Sequence, residues 1–217
     1  MTGATSFRAV VFDCDGVLVD SEAPLAAIDQ RMLADLGWQM TLQEVHDRFV
    51  GHTAAHFVEE VERHLGGLPV GWREPYEPLV HRALHEDLQA VDGVLDVLAG
   101  LDVSVAVASN SSHARVRESL ALVGLLQHFG DLVVGSDDVV QGKPAPDVYL
   151  RAAGLLAVPP TACVAVEDSV TGVRSARAAG MTVFGYAAGL TAPGPLRAAG
   201  AVTFSSMAEL PALLSGA

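Results

Sequence analysis

The sequence predicts an α/β protein, a Rossmann-like, doubly wound parallel sheet core with an inserted helical cap. Three features of its 217 residues carry that prediction. Six short apolar runs recur along the chain, helical periodicities separate most of them, and one long stretch after the first run is helical in pattern with no convincing strand. Short continuous apolar runs mark strands buried on both faces, and their alternation with helices is the pattern of parallel βαβ units.

The first run, Val10-Val11-Phe12, stops at Asp13. From Pro24 to about Gln89 the pattern is helical. Leu25, Ile28, Met32 and Leu36 form a stripe ending at Gly37, and Thr41-Leu42-Gln43-Glu44 has the form of a capping box. Phe57, Val61 and Leu65 precede Gly66-Gly67, and Tyr76, Leu79, Val80, Ala83, Leu84 and Leu88 supply a last helix. A glycine just past an apolar stripe, and a Thr three residues before a Glu, are stop and start signals of helices. Further strands are expected at Val103 to Ala108, Leu132 to Val134, Cys163 to Val166, Thr182 to Tyr186 and Val202 to Phe204. The helices among them are marked by Val94, Leu95, Leu98 and Leu101, by Val116, Leu120 and Val123, and by Val148, Ala152 and Leu155. Residues 1–20 and 90–217 are thus expected to form the α/β core and residues 21–89 the helical cap.

Composition narrows the class. Half the residues are hydrophobic and 18% are charged, yet no segment reaches the roughly 20 apolar residues of a membrane-spanning helix, so no membrane partner is expected. Met1 to Arg8 shows neither the basic nor the apolar region of a secretory leader, which makes the cytoplasm the expected compartment. Cys14 and Cys163 lie inside apolar runs and are expected to be reduced thiols. A formal net charge of −13 argues against nucleic acid, whose binding needs clustered Lys and Arg. A small phosphate remains compatible with that charge if a cation and a few donors reverse the field in one cleft.

The polar residues that end the strands carry the chemistry. Asp13-Cys14-Asp15-Gly16 follows the first strand at the carboxyl edge of the sheet, where open α/β proteins bind ligands. On an extended segment residues two apart face the same side, so both carboxylates can meet one cleft, and their repulsion asks for a hard cation such as Mg²⁺ or a shared proton. A plain turn would explain Asp-x-Asp-Gly equally well if it stood alone. It does not: Ser109-Asn110-Ser111-Ser112, Gly142-Lys143-Pro144 and Glu167-Asp168-Ser169 also follow expected strands and converge on the same edge. Glu167-Asp168 also suits the N-terminus of the helix after it.

Together, the segment from Phe12 through Glu22, with Ser109-Asn110, Gly142 through Asp147 and Val166 through Ser169, resembles the haloacid dehalogenase superfamily nearly end to end, and the insert resembles the cap of its β-phosphoglucomutase and sugar-phosphate phosphatase branch. The resemblance implies Mg²⁺-dependent hydrolysis of a small phosphorylated metabolite. Asp13 would be the nucleophile forming an aspartyl-phosphate, and Asp15 the general acid and then base. Ser109, with backbone N–H groups near Asn110 and Gly16, would hold the phosphoryl oxygens, and Lys143 would neutralise charge on them and on Asp13. Asp13, Asp168 and the carbonyl of Asp15 would bind Mg²⁺, with Glu167 a further ligand or a supporting partner.

Asp15 separates this pattern from the dehalogenases, which lack an acidic residue there, and the lysine-free cap separates it from phosphonatases. In the cap, Arg48 and His52 flank Gly51 and are candidates to touch substrate, although Arg48 also suits a solvated helix face. Leu25, Val50 and Ala54 stand where the mutase pattern has polar groups, which weighs against a β-phosphoglucomutase-like activity. The intact acidic motifs weigh against a catalytically silent phosphate-binding protein. His52/His56 and His81/His85 have helical i, i+4 spacing, but no further ligand completes a zinc site, so they read as solvated or interhelical histidines.

Overall fold

The computed structural model describes residues 7–216, so the first six residues of the segment read as lacking a leader lie outside it. Six strands form one sheet: β1 (Ala9–Phe12), β2 (Ser104–Ala108), β3 (Val133–Val134), β4 (Cys163–Glu167), β5 (Thr182–Tyr186) and β6 (Val202–Phe204). They run in the order β3-β2-β1-β4-β5-β6, and every neighbouring pair is parallel. β1 is buried at every position, as its unbroken apolar run requires. The chain winds outward in both directions from the centre, so the crevice at the carboxyl ends of β1 and β4 is the topological switch point.

Eleven α-helices are described: α1 (Glu22–Asp35), α2 (Leu42–Phe49), α3 (Ala54–Leu65), α4 (Glu77–His81), α5 (Val94–Gly100), α6 (His113–Leu122), α7 (Leu126–Phe129), α8 (Asp147–Leu156), α9 (Val170–Ala178), α10 (Pro193–Ala198) and α11 (Leu210–Gly216). None is long and apolar enough to cross a membrane. Two apolar clusters flank the sheet, one around Phe12, Leu120, Phe129 and Phe184, the other around Val11, Tyr149, Ala165 and Val183. A third cluster, with Met32, Leu33, Val45, Phe49, Phe57 and Val61, belongs to α1–α3 and the turn at Tyr76. These helices lie between β1 and β2 in sequence and carry their own small core.

Local signals explain most boundaries. Thr41 and Glu44 form the capping box at the start of α2, Thr53 caps α3, and Gly66 closes α3 with φ +77°. Some expectations are revised. The last helix of the insert is not one helix to Leu88: a 3-10 turn at Glu74–Tyr76 leads into α4, and a π-helical turn at Arg82–Glu86 closes with an Asp87 N–H donating to the Arg82 carbonyl at 3.0 Å. Pro75 and Pro78 sit in first turns, where no intrahelical N–H is needed, and the backbone stays helical from α4 straight into the π turn, so the segment the periodicity marks differs in its hydrogen bonding and in ending at Glu86. Leu95 and Leu155 point to solvent, because Val97 and Tyr149 take the buried positions of α5 and α8. Both cysteines are buried and unpaired.

Candidate active site

The parallel sheet brings the strand-ending residues to one place. Asp13 follows β1, Ser109 follows β2, Glu167 ends β4 and Asp168 follows it, and all four are buried. Lys143, the only lysine in the chain, is buried among them. Its ammonium lies 2.8 Å from Asp13 Oδ1 and 2.6 Å from Glu167 Oε1. Burial by itself would lower the Lys143 pKa, but the two carboxylates outweigh it and hold the amine firmly protonated.

Carboxylates outnumber that one cation. Burial, and then Glu167, push the Asp13 carboxyl well above the usual range despite Lys143. Burial, Glu22 and Glu167 do the same to Asp168, whose two carboxylate oxygens are buried without any hydrogen-bond partner. Glu22, at the start of α1, is raised to about 8, mainly by burial. Its carboxyl and that of Asp168 bracket Gly16: a Cβ there would lie 1.9 Å from Asp168 Oδ2 and 2.7 Å from Glu22 Cδ. Oxygens of Asp13, Glu167 and Asp168 fall within 4.8 Å of one another, the one such cluster among the described residues. Buried orphan carboxylate oxygens with surplus negative charge fit a hard divalent cation.

Glu167 is already well supplied with donors. Its Oε1 accepts from Lys143 and from the Tyr149 hydroxyl at 2.7 Å, and its Oε2 from Ser169 Oγ at 3.0 Å and Ser169 N at 3.2 Å. It therefore orients Lys143 and has little capacity left for a metal. Gly16 also differs from expectation. Its N–H donates to the Val19 carbonyl at 2.8 Å and is not offered to a phosphate. What the position needs is glycine's φ of +78° and the room for Asp168.

Asp15 faces a different shell. Its Oδ1 accepts from Ser21 Oγ at 2.5 Å and Arg115 Nη2 at 3.0 Å, and its Oδ2 from Ser111 Oγ at 2.8 Å. Burial raises its pKa, but Arg115 and the two hydroxyls outweigh that and lower it overall. Asn110 is a brace: Nδ2 donates to the carbonyls of Gly51 at 2.9 Å and Lys143 at 3.1 Å, while Oδ1 accepts the Lys143 N–H at 2.7 Å. It thereby ties the helical insert to the lysine loop.

Above these groups a cavity of about 580 Å³ lies between sheet edge and insert. Leu25, Val50, Ala54 and His52 line it, with Asp13, Asp15, Ser109 and Lys143 at its floor. His52 also meets Thr171 Oγ1 at 3.1 Å and stacks on His56. Arg48 is not brought there. It is half-exposed on the opposite face of α2, paired with Glu60 at 3.1 Å and 5.1 Å from the Trp38 ring centroid, so helical phase removes it from the cavity. Stacked His81 and His85 line the wall without forming a metal cluster. Sequence reasoning passed over Arg115, Glu22, Asp29, Arg73 and Tyr149. Ser21, Glu22 and Ser111 stood inside the quoted motifs, whereas the others carry no local signal.

Comparison with known proteins agrees with this geometry. A family profile described as "Hydrolase: haloacid dehalogenase-like hydrolase" matches residues 7–180. The chain is 30% identical over 209 residues to the 6-phosphogluconate phosphatase of Escherichia coli, covering 95% of this chain and 94% of that one. It is 31% identical to the phosphorylated carbohydrates phosphatase of Thermotoga maritima, covering 94% and 96%. Its fold superposes on a HAD family hydrolase from Deinococcus radiodurans with bound phosphate and sodium, with TM-score 0.76, 33% identity and 97% and 96% coverage. Motif, sheet topology and similarity along nearly the whole chain thus agree: the protein belongs to the haloacid dehalogenase-like hydrolases.

Proposed function

We propose that this chain hydrolyses a small, sugar-like phosphomonoester through an aspartyl-phosphate on Asp13, with Mg²⁺ as cofactor and residues 21–89 acting as a cap. The observation that carries the reading is the buried Asp13–Lys143–Glu167 array beside the partnerless carboxylate of Asp168, with Asp13 and Lys143 on the floor of a cavity sized for a metabolite. The enzyme class is that of its relatives, a phosphoric monoester hydrolase. The bound phosphate of the Deinococcus radiodurans protein and the carbohydrate esters named for its relatives favour a small phosphorylated substrate. The cytoplasm remains the proposed compartment.

Each residue has a task that its surroundings suit. Asp13 Oδ1 is held by the Cys14 N–H at 2.7 Å and by Lys143, which leaves Oδ2 to attack phosphorus. Asp168 and Asp13, with the Asp15 carbonyl, would hold Mg²⁺, which when bound neutralises the phosphoryl oxygens and keeps Asp13 ionised. Lys143 lends positive charge to the same oxygens, and Ser109 offers its hydroxyl to them. Asp15 protonates the leaving alkoxide and then takes a proton from the water that attacks the aspartyl-phosphate. Its ionised resting state suits the second half-reaction; the negative charge of bound substrate raises its proton affinity for the first.

The test is phosphate release from a panel of phosphorylated sugars, polyols and small acids, with the product sugar followed in parallel. Release needing Mg²⁺, with a phosphate adduct trapped on the Asp13 peptide, is the expected result. Isomerisation in the presence of a bisphosphate primer that outpaces phosphate release would replace this reading with a mutase.

A further inference from the structure

Asp29 lines the cavity without a part in the proposed chemistry. The face of α1 that lines the cavity is Glu22, Leu25, Ala26, Asp29 and Met32, the i, i+3, i+4, i+7, i+10 positions of one helical stripe. Glu22 abuts Asp168 at the phosphoryl end. Asp29 stands seven residues farther along, roughly 10 Å at 1.5 Å per residue, about the reach of a phosphorylated four- to six-carbon chain.

Asp29 is half-buried, and among the described residues no hydrogen bond or ion pair reaches its side chain. Burial pushes its carboxyl up to about 6, with Arg73 and Arg115 pulling it down. Neither arginine bonds to it. Arg115 is engaged with Asp15, and the guanidinium carbon of Arg73 lies 4.9 Å from the Trp72 ring centroid. A half-buried carboxylate without donors is costly unless a ligand supplies them. An ammonium would be repelled by the two guanidinium groups nearby, and an anionic tail would meet the carboxylate itself. Hydroxyl groups satisfy it without either conflict.

We propose that Asp29 is the specificity-determining residue for the leaving group. It accepts hydrogen bonds from the hydroxyls of a neutral sugar or polyol chain and disfavours esters whose far end carries a second negative charge. The inference rests on the phosphatase reading and names the substrate class within it.

Glucitol 6-phosphate and 6-phosphogluconate test it, because they share one chain and differ at the far end as CH₂OH against carboxylate. The wild type should favour the polyol ester in kcat/KM by about tenfold or more, and Asp29→Asn, which keeps the shape but loses the charge, should remove most of that preference. Turnover of p-nitrophenyl phosphate, whose leaving group has no hydroxyl chain, should respond to Asp29→Asn less than turnover of glucitol 6-phosphate does. An unchanged polyol-to-acid ratio in Asp29→Asn, a wild type that prefers the acid, or preference for phosphoethanolamine over both would overturn the proposal. If no ester is hydrolysed, the phosphatase reading fails by itself, and calorimetric titration of the two esters into wild type and Asp29→Asn still reads Asp29: equal discrimination in both proteins would refute its role.

Discussion

Asp15 and Asp13 are two residues apart in sequence, yet opposite forces set their charge. Burial and carboxylate neighbours raise Asp13, whereas Arg115, Ser21 and Ser111 overcome burial and keep Asp15 ionised. The proposed nucleophile and the proposed proton carrier are thereby told apart by their surroundings, not by their residue type. Asp13→Asn should abolish turnover. Asp15→Asn should cost on the order of 10²- to 10⁴-fold, and p-nitrophenyl phosphate should suffer less in the first half-reaction because its leaving group needs little protonation; single-turnover kinetics separates the two steps. Arg115→Ala removes the strongest influence lowering Asp15, so the limb of the pH–rate profile that reports Asp15 should move to higher pH. A profile that does not move would show that Arg115 only packs there.

At the scale of elements, the turn after β1 and the cavity face of α1 are shaped for function at a cost to local structure. Gly16→Ala puts a Cβ into the space of Asp168 Oδ2 at a φ of +78°, where L residues are strained. It should lose stability by about 1–3 kcal/mol and lose Mg²⁺ affinity as well, measured by denaturant unfolding and calorimetry. Asp29 makes the opposite forecast. Its folded pKa of about 6 lies above the ordinary 3.8, so the protonated form stabilises the fold at low pH, and that contribution is lost as pH rises through about 6. Asp29→Asn should therefore raise the unfolding free energy at pH 7.5 by on the order of 1–3 kcal/mol, a gain that shrinks towards zero near pH 4 and is read by denaturant unfolding. The apolar stripe of α1 was legible in sequence, but Leu25 proved to face the cavity, because periodicity cannot distinguish a face that meets a core from one that meets a cavity.

Across the whole molecule, the acidic cluster couples protons to stability and, in the proposed function, both to the metal. The folded pKa values of Asp13, Asp168 and Glu22 are all raised, so without metal these groups favour the fold when protonated and destabilise it as pH rises, up to about 8 for Glu22. Metal binding should then release protons, and the gain in unfolding temperature from Mg²⁺ should grow between pH 5 and pH 8. Thermal melts with Mg²⁺ and with chelator across that range check it; a gain independent of pH would mean that the cluster is not the metal site. The sequence alone determined the parallel α/β architecture, the six strands and the convergence of Asp13, Asp15, Ser109, Lys143 and Asp168 on one edge. Burial on both faces leaves continuous apolar runs, and parallel strands necessarily carry the residues that follow them to the same side. The tertiary structure decided the rest: that Gly16 makes room instead of donating, that Glu167 serves Lys143 and Tyr149, that Arg48 faces away, and that Arg115 and Asp29 enter the cavity. Those roles depend on helical phase and on contacts between residues as far apart as Asp15 and Arg115, distances that only packing closes and no local pattern records.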